Sequence, residues 1–243
     1  MLPRWGTNID SEKLANLAQD LALAKPDVIV AVAPRAIAAA RKASPQTPIV
    51  ASFTTDLVVE GEAASMSRPR GMVTGMAMLA FEGDRKRIEL LHDAIPGVKK
   101  VALLADEFGT AHKDEYQGAA ENIGVEIVRF EVKGPADYRS AFDSIRNAGV
   151  DGIVIQSSPL FHRDSAQLAA LAQERNLATI CEWREMASHG CLIGYGPDIV
   201  ELRRRTADFV IRIFAGGNPA EMPFEQPTHF ERPSTTRSPA LSG

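Results

Sequence analysis

Glu182, Trp183 and Arg184 stand together at the end of a short apolar run, Thr179-Ile180-Cys181. A guanidinium can pair with the carboxylate of a small ligand, and an indole can stack on its apolar part. A second apolar run ends in Gly194-Tyr195-Gly196-Pro197-Asp198. In an open α/β sheet, ligands sit beyond the carboxyl ends of the strands, so Glu182, Trp183, Arg184 and Tyr195 are candidates for such an edge. Glycines on both sides of Tyr195 suit a place where the chain bends or passes between bodies. In the alternative, Trp183 caps the core and Arg184 pairs with Glu185 in solvent. Spacing alone leaves both readings open.

Other apolar runs end in the same way. Ala33 and Pro34 follow one, Thr54, Thr55 and Asp56 the next, then Asp106 and Glu107, then Ser157 and Ser158. Short hydroxyls and backbone amides at these positions could orient a small molecule, but strand ends in any α/β protein are polar. Catalytic signatures are missing. Neither GxGxxG nor GxxxxGK[ST] follows a strand, and no GxSxG elbow occurs. The five histidines lack metal-ligand spacing. Cys181 and Cys191 do not make a disulfide framework. They read as free, buried strand residues, too close in sequence to flank a substrate from two lobes as paired racemase thiols do. No metal or cofactor is expected, and no enzymatic activity.

The elements that must position these residues follow from periodicity. A helix is expected over 10–25, where Leu14, Leu17, Ala18 and Leu21 share one face. The run 28–32 reads as a strand buried on both faces. A short Ala-rich helix to Ala43 and a strand over 48–53 come next, then a loop of small and polar residues leading to 71–75. The pattern restarts at Glu82 with a helix bearing Ile88, Leu91 and Ile95 on one face. Strands are expected over 101–105, 125–130 and 152–155, with helices at about 111–123, from Asp137, over 163–175 and at about 199–214. Strands alternating with helices give an α/β fold with parallel sheets. The single interruption, between Phe53 and Glu82, suggests two similar lobes.

Bulk composition narrows the class. In 243 residues, 45% hydrophobic and 24% charged content is that of an ordinary globular protein, and the net charge of −4 is interspersed. No basic face favours nucleic acid. No apolar run approaches the roughly 18 residues of a membrane span, and the opening residues lack the apolar core of a secretion signal.

Several strings, taken in order, resemble the ABC-transporter substrate-binding proteins that include tryptophan- and other aromatic amino-acid-type components. The most specific is Arg184-Glu185 followed by Gly190-Cys191-Leu192-Ile193-Gly194-Tyr195-Gly196-Pro197-Asp198. Others are Lys25-Pro26-Asp27-Val28-Ile29-Val30-Ala31, Val73-Thr74-Gly75 with Lys86-Arg87-Ile88-Glu89-Leu90-Leu91, Pro159-Leu160-Phe161-His162-Arg163, and the stretch 219–231. The resemblance implies a type I periplasmic-binding-protein fold: two Rossmann-like lobes with parallel sheets joined by a hinge. A small molecule, an amino acid or similar, would be held in the interlobe cleft for delivery to an importer permease. Lobes of 1–77 plus 194–222 and 78–193 plus 223–231 are implied, with a disordered tail over 232–243. The same resemblance implies a periplasmic location. The family's first βα unit has no counterpart ahead of Trp5, so an incomplete first-lobe sheet, open to self-association, is also expected. A racemase, lyase or hydrolase using the same cleft is the alternative from another class. A regulator's sensing domain is disfavoured because no DNA-binding helix pair precedes the match.

Overall fold

The computed structural model describes residues 11–53, 64–69, 71–78, 80–106, 113–230 and 234–235. The chain divides into two compact units, one of 1–79 with 198–229 and the other of 80–197 with 230–243.

The first unit contains helix α1 (Ser11–Leu23), strand β1 (Ile29–Val32), helix α2 (Pro34–Ala43), and strands β2 (Ile49–Phe53) and β3 (Val73–Ala77). Helix α9 (Ile199–Phe214) and a 3-10 turn (Pro219–Glu221) complete it. The strands form a parallel sheet in the order β1-β2-β3, with Ile29 opposite Ile49 and Ile49 opposite Val73. Ile37 and Ala40 of α2 close over Ile29, Ala31, Ile49, Ala51 and Val73. Gly75 is required where it stands: its φ is 139°, and a Cβ there would run into the Ala51 backbone.

The second unit opens with α3 (Ala80–Ala94), β4 (Lys100–Asp106), α4 (Lys113–Glu121), β5 (Glu126–Val132), α5 (Pro135–Asn147) and β6 (Gly152–Ile155). It continues with α6 (Pro159–Arg163), α7 (Ser165–Glu174), β7 (Thr179–Cys181), α8 (Arg184–Ser188) and β8 (Ile193–Gly194), and ends in β9 (Ser234–Thr235). The strand order is β5-β4-β6-β7-β8-β9, parallel except that β9 runs antiparallel to β8. Buried Ile88 and Leu91 of α3 pack on Val101, Leu103, Val154 and Ile180.

The α/β class with parallel sheets agrees with the periodicity. Several details differ. The stretch 73–77, expected to be reached through a loop, is a fully buried strand whose apolar run is broken by Thr74 and Gly75. The helix expected over 163–175 forms as α7 from Ser165, and a separate short helix, α6, precedes it because Asp164 departs from helical geometry. β1 is not buried on both faces. Ile29 and Ala31 face the core, whereas Val30 and Val32 are 47% and 55% exposed. Residues 223–229, expected in the second lobe, pack in the first. Phe224 joins its core, and Glu225 exchanges backbone hydrogen bonds with Gly75 and Ala77 alongside β3. Ser234–Thr235 form a strand within the stretch expected to be a disordered tail.

Cys181 and Cys191, expected to be free, are joined in a disulfide with Cα atoms 6.4 Å apart, and both are fully buried. The pairing of β7 with β8 (Cys181 opposite Gly194) brings the end of one strand beside the approach to the next. Helix α8 takes up the sequence between them.

Candidate functional site

The second unit gathers its polar residues at the carboxyl ends of β4, β6 and β7. Helix α3 adds charges that the strand-end pattern does not reveal. Asp84 and Arg87 are one turn ahead of the apolar Ile88 and Leu91, so helical spacing turns both into the core. Each is about 1% exposed or less. Arg87 donates through Nη2 to Asp84 and to Ser157 Oγ (2.6 Å), and through Nη1 to the Tyr195 carbonyl (2.8 Å). Asp84 also accepts from the Tyr116 hydroxyl (2.7 Å) and the Ser157 amide (3.3 Å). The Tyr116 hydroxyl in turn accepts from Gln156 Nε2 at 3.0 Å.

Glu182 completes this cluster at 4% exposure. Burial pushes its carboxyl up to about 7; the Arg87 charge opposes that rise, Asp84 adds to it, and hydrogen bonds with Ser157 and Trp183 hold it down. Burial also opposes the charge on Arg87, but Asp84 and Glu182 outweigh it and the guanidinium stays ionised. Burial, with Asp84 beside it, raises the Tyr116 phenol. The result is a buried cation between two carboxyls, one held near neutrality and able to change charge in the physiological range.

A second pair lies nearby. Ser158 Oγ donates to Asp106 at 2.6 Å and accepts from the Leu160 amide, capping α6. Asp106 and Ser158 are both buried. Trp183, 6% exposed, precedes α8 and meets the His162 ring edge-on at 6.0 Å. It caps the core, the alternative that spacing leaves open. Arg184 and Glu185 begin α8 in exposed positions. Tyr195 is half-buried and stacks on Phe230, with ring centroids 5.9 Å apart.

In the first unit, Ala33 follows β1 with φ 73° and ψ 149°, a region that side-chain-bearing residues seldom enter. Pro34 then starts α2. Such strain concentrates at functional sites, and these are the residues expected to meet a ligand in this unit. Thr54, Thr55, Asp56 and Glu107 lie outside the described residues. The strand-end pattern groups Ser157 with Glu182, and Asp106 with Ser158, only as members of one edge, and it misses Asp84, Arg87 and Tyr116. The available signal is two charges on the apolar face of the helix bearing Ile88 and Leu91.

Among the described residues, no group of three or more His, Cys, Asp or Glu is placed to hold a metal. No described helix is long and apolar enough to cross a membrane.

Two α/β units with parallel sheets, the second polar at its described strand ends, have the fold of a type I periplasmic binding protein. The chain matches the ABC transporter substrate binding protein family over residues 6–232 and belongs to it. It is 22% identical over 218 residues to a tyrosine-binding protein of Clostridioides difficile (strain R20291), covering 88% of this chain and 62% of that protein. Among solved structures it is similar to an ABC domain from Streptococcus pneumonia in complex with L-Trp. That match has a TM-score of 0.82 and 19% identity over 91% of this chain and 77% of the other. A conserved domain protein from Vibrio cholerae O1 biovar El Tor gives a TM-score of 0.85 at 19% identity, over 94% and 77%. The chain thus spans less than two thirds of the length of the curated relative.

Proposed function

We propose that this chain is the solute-binding component of an ABC-type importer, reversibly holding a small amino-acid-like molecule and passing it to a permease. The observation that carries this reading is the family match over residues 6–232. The names of a tyrosine-binding relative and an L-Trp complex point to an aromatic amino acid. The ligand is met by the carboxyl ends of parallel strands. Arg184 pairs with its carboxylate, Ser157 and the backbone near Ala33 and Pro34 orient it, and Tyr195 supplies apolar surface, while Trp183, enclosed in the core, anchors the start of α8. Thr54, Thr55, Asp56, Asp106, Glu107 and Ser158 complete the proposed set. Glu182 acts through Arg87 rather than by touching the ligand.

The buried Cys181–Cys191 disulfide supports a location outside the cytoplasm, where such bonds persist, and family members are typically extracytoplasmic. The chain performs no turnover. Incubating it with tyrosine, tryptophan and phenylalanine while following Trp fluorescence tests both parts of the reading. Saturable binding with the ligand recovered unchanged is expected. A chemically altered ligand would revive the enzyme alternative.

A further inference from the structure

We propose that the ligand edge of the second unit is under proton control: a proton on Glu182, relayed by Arg87, strengthens binding of the ligand's carboxylate at Arg184. The inference rests on the solute-binding reading above and adds its regulation. One buried guanidinium ties together the ends of three neighbouring strands. Arg87 donates to Ser157 beyond β6 and to the Tyr195 carbonyl beyond β8, and its charge acts on Glu182 beyond β7. Glu182 is itself hydrogen-bonded to Ser157. The chain around β8 also presses on this segment: a Cβ at Gly196 would run into the Glu182 carbonyl, and one at Gly194 into the Trp183 carbonyl. Arg87 and Glu182 are buried, but Ser157 and Tyr195 are partly exposed. The charge state of the interior is therefore displayed at the strand ends, where Tyr195 stands just before the chain passes to the other unit at Asp198.

The groups around Glu182 decide the direction of the effect. Helix α3 presents Asp84 and Arg87, and α4 presents Tyr116, bound to Asp84. β6 leads to Gln156 and Ser157, which do not ionise. β8 leads to Tyr195, whose ring turns to Phe230, and α8 carries Arg184 and Glu185 in exposed positions. With Glu182 protonated, Asp84 and Arg87 balance one another. Ionised, it sets a second carboxylate against one guanidinium, where burial leaves the surplus charge poorly screened. That surplus opposes a carboxylate arriving at Arg184, which follows closely in sequence. It also competes for Arg87, whose Nε is buried without an acceptor among the described residues, and draws the guanidinium away from Ser157 and the Tyr195 carbonyl. Ligand therefore favours the protonated form, and by linkage its binding takes up a proton. Burial already places the Glu182 carboxyl at about 7, so the exchange falls near neutral pH.

The test is titration calorimetry of tyrosine, tryptophan and phenylalanine into the 243-residue chain, Glu182→Gln and Arg87→Lys, at about pH 6 and about pH 8. For a group titrating at about 7, the protonated share falls roughly tenfold between the two, so wild type should lose up to about tenfold in affinity. At about pH 7, heats in buffers of different ionisation enthalpy should report uptake of about half a proton per ligand. Glu182→Gln, a fixed neutral form, should bind at both pH values about as tightly as wild type at the lower one, without that uptake. Arg87→Lys keeps the charge but loses the fork that reaches Ser157 and Tyr195 together, and should bind more weakly at both. Ionisation of the ligand, of His162 and of His189 is common to wild type and Glu182→Gln and cancels in their comparison. Saturable binding with the same pH dependence in those two proteins, or with none in wild type, would overturn the proposal and leave the solute-binding reading standing. Arg87→Lys binding as tightly as wild type would overturn the relay. No binding of any of the three at either pH would overturn both the reading and the inference built on it.

Discussion

Replacing Glu182 with Gln keeps the shape of a buried side chain and removes one titration. Its carboxyl stands at about 7 in the folded chain against an ordinary value of 4.5. A raised folded value means the contribution is fully present below about pH 4.5 and is lost as pH climbs through about 7. A tenfold change in proton affinity is worth about 1.4 kcal/mol, so wild-type stability should fall by about 3 kcal/mol from this group over that window. For a chain of this size that corresponds to roughly 6–12 °C in Tm. Every other titrating group is common to both proteins, so the informative quantity is the difference between them. Thermal unfolding of wild type and Glu182→Gln at about pH 5 and about pH 8, on either side of most of that window, reads it directly. The variant should gain on wild type by several degrees between the two conditions. Parallel pH profiles would refute the placement of Glu182 as a buried carboxyl poised near neutrality.

Three further outcomes follow from the same geometry. Arg87→Met should cost about 3–5 kcal/mol in denaturant unfolding, because Asp84 and Glu182 are left without their buried cation. Ala33→Gly should stabilise by about 1 kcal/mol in the same measurement, relief of the strained backbone at φ 73° exceeding glycine's extra chain entropy. Chemical reduction of Cys181–Cys191, which are 10 residues apart, should lower stability by roughly 3 kcal/mol, measured as the denaturant midpoint with and without reductant.

The α/β class is legible in the sequence because its cause is local: apolar runs of strand length between helices with one apolar face. The helix expected at about 199–214 forms as α9, and the structure adds its cap: Asp198 accepts from the Val200 and Glu201 amides. What cannot be read depends on register. Nothing in the chain around Cys181 and Cys191 announces that β7 and β8 are neighbours, yet that adjacency makes the disulfide possible. The same holds for Arg87, whose partners Ser157 and Tyr195 are 70 and 108 residues away. The exposed face of Val30 and Val32 is hidden from sequence reading because an apolar run looks the same whether one sheet face or both are covered. Phe224 and Glu225 fall to the wrong lobe because nothing local shows that they pair beside β3.

Reversible binding of an aromatic amino-acid-like solute is tested most directly by titration calorimetry of the 243-residue chain against tyrosine, tryptophan, phenylalanine and a panel of other amino acids. A saturable isotherm is expected, matched by stabilisation of about 2.7 kcal/mol when the free ligand reaches about 100 times its Kd. No heat and no change in melting across the whole panel would contradict the account.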